Sequence, residues 1–201
     1  EQYFTPKAAL HAVKSMKLLN EAQEGRKGYV EHLWEIREAV SYLSNAPIKR
    51  PGKTPVPHDY DRVISDVDNV KRVNAVLQKS LSDAELGYEI LDKNDNFYHS
   101  YILLPAQLYS DLIGFEIELH KMAMLKKEFE TTKDIQYLNE AISLLPIAKK
   151  KLDIILDRRS SGDIDDKWKN WYAIANRRQN NGFPTYEMLS AIEANLNKMT
   201  L

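Results

Sequence analysis

The stretch Tyr60-Asp-Arg-Val-Ile-Ser-Asp-Val-Asp-Asn-Val-Lys-Arg-Val-Asn-Ala-Val-Leu-Gln-Lys-Ser-Leu81 decides the fold class. Val63, Val67, Val70, Asn74 and Leu77 recur at alternating steps of four and three, the spacing of a narrow helical seam. Such a seam suits antiparallel packing in a bundle, and Asn74 is predicted to interrupt it with a polar group. Three- and four-residue steps continue through most of the chain. The strict alternation of half-buried strands does not persist beyond a few positions. The chain therefore reads as all-α, an antiparallel bundle of about six to seven helices.

Upstream, Thr5-Pro6 supplies an N-cap and a first-turn proline. The segment from Pro6 to about Gln23 carries Leu10, Val13, Leu18 and Leu19 around a mixed face and is predicted to end near Gly25. A second helix, Tyr29 to Leu43, has Val30, Leu33, Trp34, Arg37 and Val40 along one stripe. The short Gly25 to Gly28 link predicts that the two pair as an αα-hairpin over 1–46. Pro47, Pro51, Pro55, Pro57 and Gly52 forbid helix and predict an extended connector over 47–58, leaving 59–201 as the main bundle.

Downstream, Asp92 to Asn96 is a turn and capping cluster. It opens a long helical pattern from Phe97 to about Phe129, with Pro105 in its third turn predicting a kink. Tyr98, Tyr101, Pro105 and Tyr109 fall near one stripe, read as aromatic packing. Thr131 to Lys133 are predicted to start a further helix with Ile135, Leu138, Ile142, Leu145, Leu152, Ile155 and Leu156 inward and Pro146 at its middle. After a break at Ser160 to Asp163 comes a short helix with Trp168, Trp171 and Tyr172. A second break at Asn180 to Pro184 precedes a last helix from Thr185 to about Met199.

With 201 residues, 43% hydrophobic and 28% charged, the composition is that of a globular domain, and one domain is the default. The 28 Lys plus Arg against 29 Asp plus Glu give no global field that draws a protein to nucleic acid or an anionic bilayer. The apolar run Tyr101 to Leu104 meets Pro105 far short of a membrane span. Absence of cysteine excludes disulfides, thiolate nucleophiles and Cys-ligated metals. A start at Glu1 without Met or an apolar leader leads us to expect a processed product or a piece of a longer polypeptide.

No catalytic, metal or cofactor motif emerges. The five histidines are scattered, and Glu116 with His120 reads as an i,i+4 hydrogen-bonded pair rather than a cation site. Asp163, Asp165 and Asp166 lack the rest of a calcium loop and read as charges at the start of the tryptophan helix. Neither a nucleophile elbow nor a phosphate-cradling glycine loop is present. Lys149 to Lys151, Arg158 and Arg159, interleaved with Asp153 and Asp157, read as a solvated helix end. Trp168, Trp171 and Tyr172, followed by Arg177, Arg178 and Asn180, form the most distinctive group. Indoles stack on the C–H faces of sugar rings while planar polar groups bind hydroxyls, so these residues are the candidate carbohydrate contacts. The competing reading makes both tryptophans plugs at the end of the bundle.

The order of motifs carries a resemblance. Lys49-Arg50-Pro51 leads into the helix Tyr60 to Leu77. Asn96-Phe97-Tyr98-His99 with Leu103-Leu104-Pro105-Ala106 then opens a long helix, and Asp166-Lys167-Trp168-Lys169-Asn170 follows. Over about residues 48 to 172 this resembles the helical domain that follows the catalytic barrel in bacterial glycoside hydrolases of the family 115 α-glucuronidase group. It departs from the pattern after Trp171. The resemblance implies a periplasmic or extracellular, non-catalytic accessory module that packs on a preceding catalytic domain, self-associates or contacts polysaccharide. Its catalytic carboxylates would lie in the barrel, so none is assigned here. The alternative is a stand-alone helical interaction or ligand-binding protein with a groove near Tyr98, Tyr101 and Trp168.

Overall fold

The computed structural model of the chain describes residues 4–24, 29–47, 58, 60–64, 67–160 and 184–201. Among them the structure is all-α: α1 Pro6–Glu24, α2 Tyr29–Ser44, α3 Tyr60–Ile64, α4 Val67–Ile90, α5 Asn96–Tyr98, a π turn His99–Leu103, α6 Leu104–Thr132, α7 Ile135–Ser143, α8 Leu145–Ser160 and α9 Tyr186–Met199. No described helix is long and apolar enough to cross a membrane. Of the connector, only Pro47 and His58 are described.

The 29-residue α6 is the axis of the bundle. Leu108, Leu112, Phe115, Leu119 and Met122 are buried on it, and so are Glu116, Glu118, His120 and Lys126. Burial on all sides marks a central helix rather than an amphipathic surface one. Helices α2, α3, α4, α7 and α8 pack directly on it, and α9 closes over α2, α7 and α8.

The seam of α4 is Val70, Val73, Leu77, Ser80, Ala84 and Gly87. Val73 thus takes the inward place predicted for Asn74, which is half-buried at the edge and accepts from Gln78 at 3.4 Å. The polar and small members of the seam lie further on, at Ser80 and Gly87. They face α1, whose buried residues Ala8, Ala12, Ser15 and Ala22 are equally small. Ser80 donates to the Ser15 carbonyl at 2.8 Å, and His11 Nδ1 pairs with Asp83 at 2.8 Å. These contacts run antiparallel, and α1 lies along α4. Among the described residues, α2 turns Ile36, Ala39 and Leu43 onto α6 and α9, and the link over 25–28 that the hairpin expectation relied on lies outside them. Volume matches α1 to α4. An alanine face fits only a seam of small residues, whereas the branched stripe of α2 needs the apolar flank of α6. Leu10 and Val13 consequently point outward, 54% and 64% exposed.

Local signals hold where they act within one turn. Thr5 Oγ1 accepts from Ala8 N at 3.3 Å, Asp95 from Tyr98 N at 2.7 Å, and Thr185 from Met188 N at 3.4 Å. Asp92 and Lys93, both with left-handed backbones, reverse the chain after α4. Pro105 lacks the N–H for an ordinary helical bond and its ring would meet the Tyr101 carbonyl. The preceding turn widens, and Leu104 N–H reaches back five residues to His99 O. The predicted kink is thus a single π turn that lets one helix continue from Asn96 to Thr132. Its extra residue also splits the aromatic stripe: Tyr98, Pro105 and Tyr109 are buried, while Tyr101 stays at the surface with its ring 4.5 Å from that of Phe97.

Thr131 and Thr132 end α6 rather than starting the next helix. Lys133 takes the left-handed cap and Asp134 caps α7, accepting from Gln136 N at 2.9 Å. The long helix predicted around Pro146 divides at Leu144, with Pro146 in the first turn of α8, where a missing N–H costs nothing. Leu138, Leu145, Leu152 and Ile155 point inward as predicted, joined by Ala141 and Ala148, whereas Ile135 is exposed.

Candidate functional site

A groove of about 650 Å³ runs between the α7–α8 corner and α9. The Leu144 break places Ile142, Leu145 and Pro146 side by side, and Leu189 of α9 completes an aliphatic floor. The rim is polar, formed by Lys149 on α8 and by Ser190 and Glu193 on α9. Tyr186, the first residue of α9, stands at the rim and is 45% exposed. Its hydroxyl donates to Asp153 Oδ1 at 2.6 Å. Lys149, one turn before Asp153, donates to Oδ1 at 3.2 Å and Oδ2 at 3.1 Å. The same ammonium lies 5.4 Å from the Tyr186 ring centre. The hydrogen bonds from Tyr186 and Lys149 hold the Asp153 carboxyl below the usual carboxylate range, and that from Tyr186 raises the phenol in return. At neutral pH an ionised, oriented Asp153 carboxylate therefore adjoins the two rim residues Tyr186 and Lys149.

A second cleft, about 520 Å³, opens where α4 ends against the π turn. Glu85, Tyr88, Glu89 and His99 line it, and Gln107 and Arg158 form its far wall. The Tyr88 and His99 rings are 5.5 Å apart, and the Tyr88 hydroxyl donates to the Lys93 carbonyl at 2.7 Å. Arg158 is committed to the wall, donating to Asp111 at 2.5 Å and Gln107 at 2.9 Å.

Other buried polar groups tie helices together. Lys126 donates to the Tyr42 carbonyl at 2.6 Å and Asn195 to the Leu43 carbonyl at 2.7 Å, so side chains from α6 and α9 cap the end of α2. The Tyr42 hydroxyl donates to Glu130 at 2.8 Å, and burial, reinforced by Glu130, pushes that hydroxyl far above the ordinary tyrosine range. Burial lowers Lys126 against the opposing pull of Glu130. His58 meets Glu38 of α2 at 3.3 Å. Lys151 joins α8 to α6 through Glu118 at 2.8 Å and the Gly114 carbonyl at 3.0 Å. The basic run is thus only partly a solvated end: Lys149 and Lys150 are exposed, whereas Lys151 and Arg158 brace the bundle.

Glu116 and His120 stand 3.9 Å apart in the interior, beyond hydrogen-bond length for this pair of atoms. Among the described residues there is no group of three or more His, Asp or Glu able to hold a metal ion. Trp168, Trp171, Tyr172, Arg177, Arg178 and Asn180 lie outside the described residues, as do Asp163, Asp165 and Asp166. Tyr98 and Tyr101 do not share the expected groove, because Tyr98 is fully buried. The groove residues Tyr186 and Lys149, with their partner Asp153, carried only a faint sequence signal, an i,i+4 charge pair and a tyrosine after a cap. Comparison with known protein families, curated proteins and solved structures finds no match.

Proposed function

We propose that this chain is a non-catalytic helical module of a carbohydrate-active enzyme that contacts a glycan through the groove between α8 and α9. The observation that carries this reading is the exposed Tyr186 ring at the rim of an aliphatic groove, its hydroxyl bonded to Asp153, a carboxylate oriented by two hydrogen-bond donors. A pyranose needs an apolar surface for its C–H face and charged acceptors for its hydroxyls. The motif order over residues 48 to 172 supports the same class and carries with it a periplasmic or extracellular location and a neighbouring catalytic domain. A glycan-array scan of the 201-residue chain tests the proposal. Wild type is expected to retain at least one oligosaccharide class and Tyr186→Ala to lose it with an unchanged helical circular-dichroism spectrum. A blank array sinks the reading.

The cleft beside His99 favours a second reading, a stand-alone ligand-binding protein. Thermal-shift screening separates the two. A small molecule that stabilises wild type but not His99→Ala supports this second reading, and stabilisation of both variants alike counts against it.

A further inference from the structure

Resting on the glycan reading, we infer that the groove seats a sugar carrying a methyl-terminated substituent, a 6-deoxyhexose or an O-acetylated residue, in preference to the same sugar with a hydroxyl in that place. The floor carries this inference. Ile142 at the end of α7, Leu145 and Pro146 at the start of α8 and Leu189 in the first turn of α9 line it together. Leu145 and Leu189 belong to the main core, and Ile142 packs against it, so the floor is held in place from below. Pro146 has no N–H, and the corner therefore offers no backbone donor at that position.

Lys149 and Ser190 bring their polar atoms at the rim, where the ring hydroxyls of a bound sugar can reach them. The substituent that points down meets aliphatic side chains instead. A hydroxyl placed there gives up its water without gaining a partner from Ile142, Leu145, Pro146 or Leu189, which is unfavourable. A methyl group placed there buries apolar area and gives up no hydrogen bond. The two cases differ by a single oxygen between a hexose and its 6-deoxy counterpart, and by an acetyl group between an esterified and a free sugar hydroxyl.

The test titrates the whole chain with two matched pairs: the methyl glycoside of L-fucose against that of L-galactose, and an O-acetylated oligosaccharide against the same oligosaccharide after deacetylation. Amide shifts of Leu145, Leu189 and Ser190 locate each ligand and give its affinity. The methyl-bearing member of at least one pair is expected to bind about tenfold more tightly, and the pair that shows the preference identifies the source of the methyl group. Nuclear Overhauser contacts are expected between that methyl and the methyls of Ile142 and Leu189. Ile142→Thr, which sets a hydroxyl in the floor, is expected to bring the preference close to unity with an unchanged helical circular-dichroism spectrum. If that variant fails to fold, the Overhauser contacts in wild type decide. Equal affinity within both pairs, or a sugar methyl that touches neither Ile142 nor Leu189, overturns the inference and leaves the glycan reading standing. Groove amides that no sugar moves overturn the glycan reading itself.

Discussion

A methyl group added to Gly87 would lie 1.8 Å from the Tyr98 hydroxyl oxygen and 2.6 Å from the ring carbon bearing it. Helix propensity favours alanine over glycine by about 1 kcal/mol in a helix interior, but overpacking costs about 1–3 kcal/mol. The clash is with a fully buried ring that the Phe4 and Tyr88 rings flank. Gly87→Ala is accordingly expected to lower the unfolding free energy by about 1–2 kcal/mol in urea titration, with Tyr98→Phe recovering part of the loss. The Tyr98 hydroxyl has no hydrogen-bond partner among the described residues. Removing it alone is expected to be neutral or stabilising, because no bond is lost with it. Burial, and then the Asp83 charge, push this hydroxyl up to about 12 from 10.0. A raised folded-state value gives stability that is complete below pH 10.0 and drains away as pH climbs toward about 12. Melting temperatures from pH 8 upward check this: the wild-type decline above pH 10 is expected to be steeper than that of Tyr98→Phe.

Among the elements, the α6–α8 contact depends on Lys151 and Arg158. Burial alone would raise the Glu118 carboxyl, but the hydrogen bonds and charges of Lys151 and Lys121 outweigh it and hold the group below its ordinary range. Lys151→Met keeps the aliphatic stem and removes the charge, leaving Glu118 to Lys121 alone, and is expected to cost about 1–2 kcal/mol at pH 7. A lowered folded-state value gives stability that is present above the unfolded value and lost as pH falls through the folded one. The cost of the substitution should therefore shrink below about pH 4. Parallel urea titrations at neutral and acid pH decide the point, and an equal cost at both would show that Glu118 is not the partner that matters. At Asp111 the balance reverses: burial raises the carboxyl even though Arg158 opposes it.

Across the whole molecule, α6 touches almost every other element, while α1 packs on α4 and the π turn. Hydrogen exchange is expected to be slowest in α6 and to begin in α1, whose opening exposes little apolar surface. Ala12→Leu, which drives a larger side chain into the α1–α4 seam, is expected to cost about 1–3 kcal/mol and to lose protection in α1 first. Simultaneous loss in α1 and α6 would mean that the chain opens as one unit.

The all-α class and the caps at Thr5, Asp95 and Thr185 were legible in the amino-acid sequence, since helical periodicity and capping hydrogen bonds act within a turn or two of the chain. So was the disturbance at Pro105, whose missing N–H is a local fact, although only the structure resolves it as a π turn. Which surfaces meet was not legible: Val73 instead of Asn74 inward, α1 along α4, and a glycine demanded by a tyrosine from the next helix. The groove belongs to the same category, because Tyr186 and Asp153 are 33 residues apart. These choices were left to tertiary structure because they depend on matching side-chain volumes and polar partners between helices remote in the chain, which no local pattern of hydrophobicity encodes.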